Sequence, residues 1–162
     1  MNGESAPPVH ERIFLVVVDQ SDELRVAVRY ASKRAGHTGG RVALLYLAER
    51  AEVQHWQSVE ELMREELRQK AEDTLQRWSK LVQEWSGKTP VLFVREGNAR
   101  DEVLKVLEEE KSISILVLAA AAGKKGPGPL ITALTGKLWK QLTIPLTIVP
   151  GALSEEEIDA LT

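Results

Sequence analysis

Between Ser114 and Pro150 the chain reads Ser-Ile-Leu-Val-Leu-Ala-Ala-Ala-Ala-Gly-Lys-Lys-Gly-Pro-Gly-Pro, then an apolar-periodic segment, then Ile-Pro-Leu-Thr-Ile-Val-Pro. An apolar run without polar alternation is the pattern of a strand buried on both faces, which belongs to a parallel sheet covered by helices. A glycine-rich loop that opens a helix directly after such a strand is where α/β proteins hold ligands. This one stretch therefore sets both the fold class and the place to look for a site.

The remaining segments repeat the theme. Ile13 to Asp19 is a first buried strand that ends on an aspartate. Ser21 is a good N-cap, Asp22 and Glu23 suit the positive end of a helix, and Leu24, Ala27, Val28, Ala31 and Ala35 fall on one helical face before Gly36 stops the helix. Val42 to Leu47 is a second buried strand. From about Val59 to Ser86, Leu67, Ala71, Leu75, Trp78, Val82 and Trp85 recur at steps of four and three, the stripe of an amphipathic helix, with Trp56 outside it and able to cover a loop. Val91 to Val94 forms a third strand, and Asn98 caps a helix with Val103, Leu104 and Leu107 on its inner face. Ile115 to Leu118 is the fourth strand, a helix spans Pro129 to Leu142, and Leu146 to Val149 is the fifth strand. Ser154 with Glu157 three residues later signals a capping box for a short tail helix. Five strands alternating with four helices predict an α/β fold: a single five-stranded parallel sheet, doubly wound and Rossmann-like. Residues 1–11 are expected to be a disordered leader, 12–151 the domain, and 152–162 a tail.

Composition narrows the function. A formal net charge of −3 over 162 residues leaves no basic footprint for nucleic acid. There is no cysteine, hence no disulfide framework, thiolate metal site or thiol nucleophile. No segment approaches the roughly twenty apolar residues of a membrane span, and the first residues lack a signal-peptide core. A cytoplasmic protein without membrane attachment is the expectation. His10, His37 and His55 have no metal-ligand spacing, and neither a Gly-x-Ser-x-Gly elbow nor a Walker loop occurs, so neither a metal centre nor an enzyme is expected.

Together with Val18-Asp19-Gln20-Ser21 and Val94-Arg95-Glu96-Gly97-Asn98, the Ser114 to Pro150 stretch resembles the universal stress protein family over roughly Ile13 to Pro150. The resemblance implies strand order 3-2-1-4-5, with a ligand crevice between the first and fourth strands. It also implies a homodimer formed by the last strands, Leu146 to Val149, across a two-fold axis, with unidentified protein partners. ATP-binding members carry a pattern after the fourth strand: glycine, two residues, glycine, nine residues, glycine, then serine or threonine. Gly123, Gly126 and Gly136 have this spacing, followed by Lys137. In the family, however, the last glycine opens the final helix and precedes the next proline by about thirteen positions, whereas Pro145 follows Gly136 by nine, and Gly136 falls on the exposed face in the middle of the expected helix.

A register anchored on the fourth strand and on Pro145 places Ala119, Ala122, Thr132 and Ala133 at the motif positions. Each alanine adds a Cβ where phosphate must approach backbone, and Ala133 lacks a hydroxyl. The resulting expectation is a dimeric stress-response binding or regulatory module without family-type ATP binding. The alternative is a nucleotide-binding (ATP or AMP) member. By resemblance it would use Asp19 near the nucleotide and the Leu47 backbone at the adenine, with Gly123, Lys124 and Lys125 of the Gly123–Gly128 loop as a replacement anion site. The bland counterparts are an Asp19 that caps the following turn and a surface loop whose lysines serve solubility.

Overall fold

The computed structural model describes residues 10–48 and 57–162. Five strands, β1 (Ile13–Val18), β2 (Arg41–Ala48), β3 (Val91–Glu96), β4 (Ile113–Ala120) and β5 (Leu146–Pro150), form one parallel sheet in the order β3-β2-β1-β4-β5. The helices are α1 (Leu24–Thr38), α2 (Gln57–Ser86), α3 (Ala99–Glu109), α4 (Pro129–Thr135) and α5 (Glu155–Leu161). The expected fold class and strand order are therefore both present. Trp56 and the first nine residues of the expected leader lie outside the described residues. Glu11 is pinned by Arg41 at 2.8 Å and Lys88 at 2.9 Å.

The central strands are apolar on both faces because both faces are covered. Phe14, Val16 and Val18 of β1 join Val42, Leu44 and Val117 under α1 and α2, whereas Leu15 and Val17 join Ala43, Leu45, Leu116 and Leu118 under α3 and α4. Alanines at 27, 31 and 35 let α1 lie close to the sheet, and all three are buried. In α2, Ala71, Leu75 and Val82 are buried, and Trp85 lies beneath the guanidinium groups of Arg25 and Arg29, each 5.0 Å from its ring centre. At about 1.5 Å per residue, α2 is roughly 45 Å long and overshoots the sheet. Most residues from 61 to 70 are accordingly exposed, Leu62 among them.

Several boundaries differ from the sequence expectation, each for a local reason. Ser21 does not cap α1: the helix starts three residues later, Glu23 occupies the N-cap without a side-chain bond, and the Ser21 hydroxyl is engaged elsewhere. Gly36 does not end α1 either. It sits inside the helix where a Cβ would meet Ser86 O at 3.4 Å, and the turn is made by Gly39 at φ 70°. Strand β4 extends through Ala120 because Ala119 and Ala120 continue the ladder with Val149 and Pro150. The helix expected to run to Leu142 stops at Thr135. Gly136 is its C-cap, and after a turn a separate 3₁₀ segment, Trp139–Gln141, follows. Gly136 is thus a terminator and not an exposed mid-helix residue. The caps at Asn98 and Ser154 form as expected, the latter as a full capping box.

Candidate functional site

The strand order reverses between β1 and β4, so the crevice for ligands lies beyond their carboxyl ends. Asp19 follows β1 directly and is exposed. Its Oδ1 accepts hydrogen bonds from the Ser21 backbone N–H at 2.9 Å and the Ser21 hydroxyl at 2.6 Å. Those bonds make an Asx turn between strand and helix, which is the capping role for Asp19. Leu47 lies on β2 opposite Arg95 of β3, with its side chain packed against the α3-face core.

The β4–α4 connection carries most of the remaining candidates, and the fold divides them. Ala119 is a ladder residue paired with Val149, its side chain packed against the α1-face core, and so it lies outside the loop. Ala122, Gly123, Lys124 and Lys125 are exposed in the loop. A Cβ on Gly123 would meet nothing within 4 Å and its φ is not positive, while Gly126 and Gly128 adopt φ 92° and 115°. The loop closes on itself: the Ala121 N–H donates to Pro127 O at 3.0 Å. Thr132 and Ala133 sit in the second turn of α4, and the Thr132 hydroxyl donates to Gly128 O at 2.8 Å.

In neither register does the last motif position fall at the start of α4. Gly136 closes α4, whereas the resemblance implied a last glycine that opens the helix. Thr132 and Ala133 lie past the helix start, and the residue that does open α4 is Pro129, which has neither an N–H nor a hydroxyl to give a phosphate. The pattern sets its first and third glycines thirteen positions apart, but Gly128 at the helix N-cap follows Ala119 by only nine.

A residue that sequence reasoning passed over lies against the end of β4. Directly after β5, Gly151 lies where an ideal Cβ would overlap the Ala120 carbonyl oxygen and come within 2.5 Å of Glu23 Cγ. The chain thus crosses the end of β4 in contact with the start of α1. A glycine immediately past a strand is a signal for such a close backbone approach. Beyond it α5 is clamped to α1: Arg25 to Glu155 at 2.7 Å, Arg29 to Asp159 at 2.6 Å, and Arg34 and His37 to Thr162 O at 3.2 and 2.8 Å. Hydrogen bonding to Arg29 holds the Asp159 carboxyl below its ordinary value, and the Arg29 guanidinium is raised by the same bond. Among the described residues no group of three carboxylate, histidine or cysteine side chains could hold a metal, and no helix is long and apolar enough to cross a membrane.

Comparison with known proteins gives one family and a consistent set of structures. The model of the universal stress protein family matches residues 11–150. The universal stress protein UspA from Lactobacillus plantarum superposes with a TM-score of 0.69 at 16% identity, covering 86% of this chain and 98% of its own. A universal stress protein in complex with cAMP gives 0.63 at 14% identity, covering 88% and 99%. The universal stress protein from Archaeoglobus fulgidus in complex with dAMP gives 0.56 at 16% identity, covering 86% and 98%. No curated protein sequence matches the chain.

Proposed function

The chain belongs to the universal stress protein family, and from that premise we propose that it is a non-enzymatic, dimeric binding or regulatory module whose nucleotide crevice is closed. The observation that carries the proposal is the short, self-bonded connection from Ala119 to Gly128, ending in Pro129 at the helix start. Pairing through β5 is supported by its place at the end of the sheet and by Ile148, 41% exposed on that edge. Pro145 precedes the strand and Pro150 is its last residue, which limits how far such pairing extends.

The second reading, a nucleotide-binding member, is favoured by the two neighbours determined with cAMP and dAMP. Asp19, Leu47, Lys124 and Lys125 are the side chains it would use, Asp19 with one oxygen already engaged by Ser21. Thermal unfolding with and without millimolar ATP and magnesium, repeated with AMP, separates the two. A ligand at 100 times its dissociation constant adds about 2.7 kcal/mol, or roughly 5–10 °C for a chain of this size. The closed-crevice proposal expects no shift with either nucleotide; a clear rise overturns it in favour of the second reading.

A further inference from the structure

The sheet has two edges, β5 and β3, and only β5 has been given a partner above. Strand β3 is the more apolar of the two to look at: Val91, Leu92 and Val94 are 36%, 47% and 48% exposed. Leu92 and Val94 stand opposite Leu44 and Tyr46 of β2, on the face that α2 covers over the inner strands but leaves open at the edge. Backbone N–H and C=O groups alternate in direction along a strand. The Gly97 N–H donates to Ala48 O of β2 at 3.2 Å, so Arg95 and Phe93 turn their backbone groups inward, and Leu92, Val94 and Glu96 turn theirs outward. An apolar strand with outward-facing donors and acceptors is a template for another copy of itself.

Arg95 interrupts that template. Its Nη1 donates to the Val94 carbonyl oxygen at 3.2 Å, the guanidinium carbon lies 5.9 Å from the centre of the Phe93 ring, and Nη2 is held by Glu109 of α3 at 3.3 Å. A charged group thereby occupies an outward acceptor in the middle of β3, anchored from a neighbouring helix. We propose that Arg95, positioned by Glu109, is an edge guard that keeps β3 from pairing with β3 of a second copy. It confines sheet-extending association to β5. The consequence for assembly follows from symmetry: two self-pairing edges on one sheet join dimers into open-ended chains, whereas one self-pairing edge stops at the dimer. The second half of this statement rests on the β5 pairing proposed above; the guard itself does not.

Sedimentation velocity of the full chain across a concentration series tests it, with circular dichroism confirming the fold. Arg95→Ala is expected to give species heavier than the wild type, growing with concentration. Adding Val94→Lys to Arg95→Ala, which returns a cation to the edge, is expected to restore the wild-type mass. Should Arg95→Ala not fold, Glu109→Gln removes only the anchor and is expected to cause weaker growth in the same direction. Variants that sediment as the wild type, or growth that Val94→Lys does not reverse, overturn the guard. A monomeric wild type with a dimeric Arg95→Ala variant keeps the guard and refutes the β5 pairing.

Discussion

Replacing Gly151 by alanine probes the packing of the chain across the end of β4 with a single methyl group. The new Cβ would overlap Ala120 O and press on Glu23 Cγ at 2.5 Å. Ala120 is held in the ladder opposite Pro150, so its carbonyl cannot retreat without losing strand pairing. The other escape is for the tail to swing away, which separates Arg25 from Glu155 and Arg29 from Asp159 and uncovers Ile158, now 1% exposed. Overpacking of this kind costs typically 1–3 kcal/mol, and uncovering one aliphatic side chain about 1.5–3 kcal/mol. Whichever route is cheaper, the loss is about 2 kcal/mol, or roughly 4–8 °C in Tm at this chain length. Thermal unfolding followed by circular dichroism reads the total. Amide exchange over residues 152–162 identifies the route, since tail release accelerates exchange there and overpacking in place does not. Gly123→Ala is the internal control. No atom lies within 4 Å of that Cβ, so the change stays within about 0.5 kcal/mol. A Gly151→Ala protein that melts with the wild type would refute the close approach and leave the connection from Ala119 to Gly128 as the sole support of the proposed closure.

Two further outcomes follow from the same contacts. Asp159 has its pKa lowered in the folded chain chiefly by the hydrogen bond from Arg29, so its stabilising contribution is complete above the unfolded carboxylate value of about 3.9 and is lost as pH falls through the lowered folded value. Asp159→Asn is expected to flatten the acid limb of the stability curve below about pH 4 and to leave the neutral-to-acid slope above pH 5 unchanged; an unaltered acid limb contradicts the pairing. Ile148→Lys places a charge on the exposed edge of β5 and is expected to convert the proposed β5-paired dimer to monomer by sedimentation without lowering Tm by more than about 1 °C; a dimer that persists in the variant refutes pairing through β5.

What was legible in the sequence was what neighbouring residues settle among themselves. Unbroken apolar runs such as Ile13 to Val18 and Leu116 to Leu118 are the pattern of short strands covered on both faces, and their alternation with amphipathic segments points to a doubly wound sheet. Asn98 and Ser154 announced their helices because a cap is satisfied within three residues. The glycines at 123, 126 and 136 matched a spacing without its geometry, since spacing says nothing about whether a glycine opens a helix or ends it. That Gly136 terminates α4, that Ala119 is absorbed into the ladder by Val149, and that Arg95 reaches Glu109 all depend on packing against other elements. Gly151, Ala120 and Glu23 meet although 31 and 128 positions separate Gly151 from the other two, and no local pattern carries such a contact. The order of elements and their buried faces were thus set by local chemistry, whereas the approach of Gly151 to Ala120 and Glu23 was decided only when distant segments came together, because steric exclusion acts between atoms in space and leaves no periodicity in the chain.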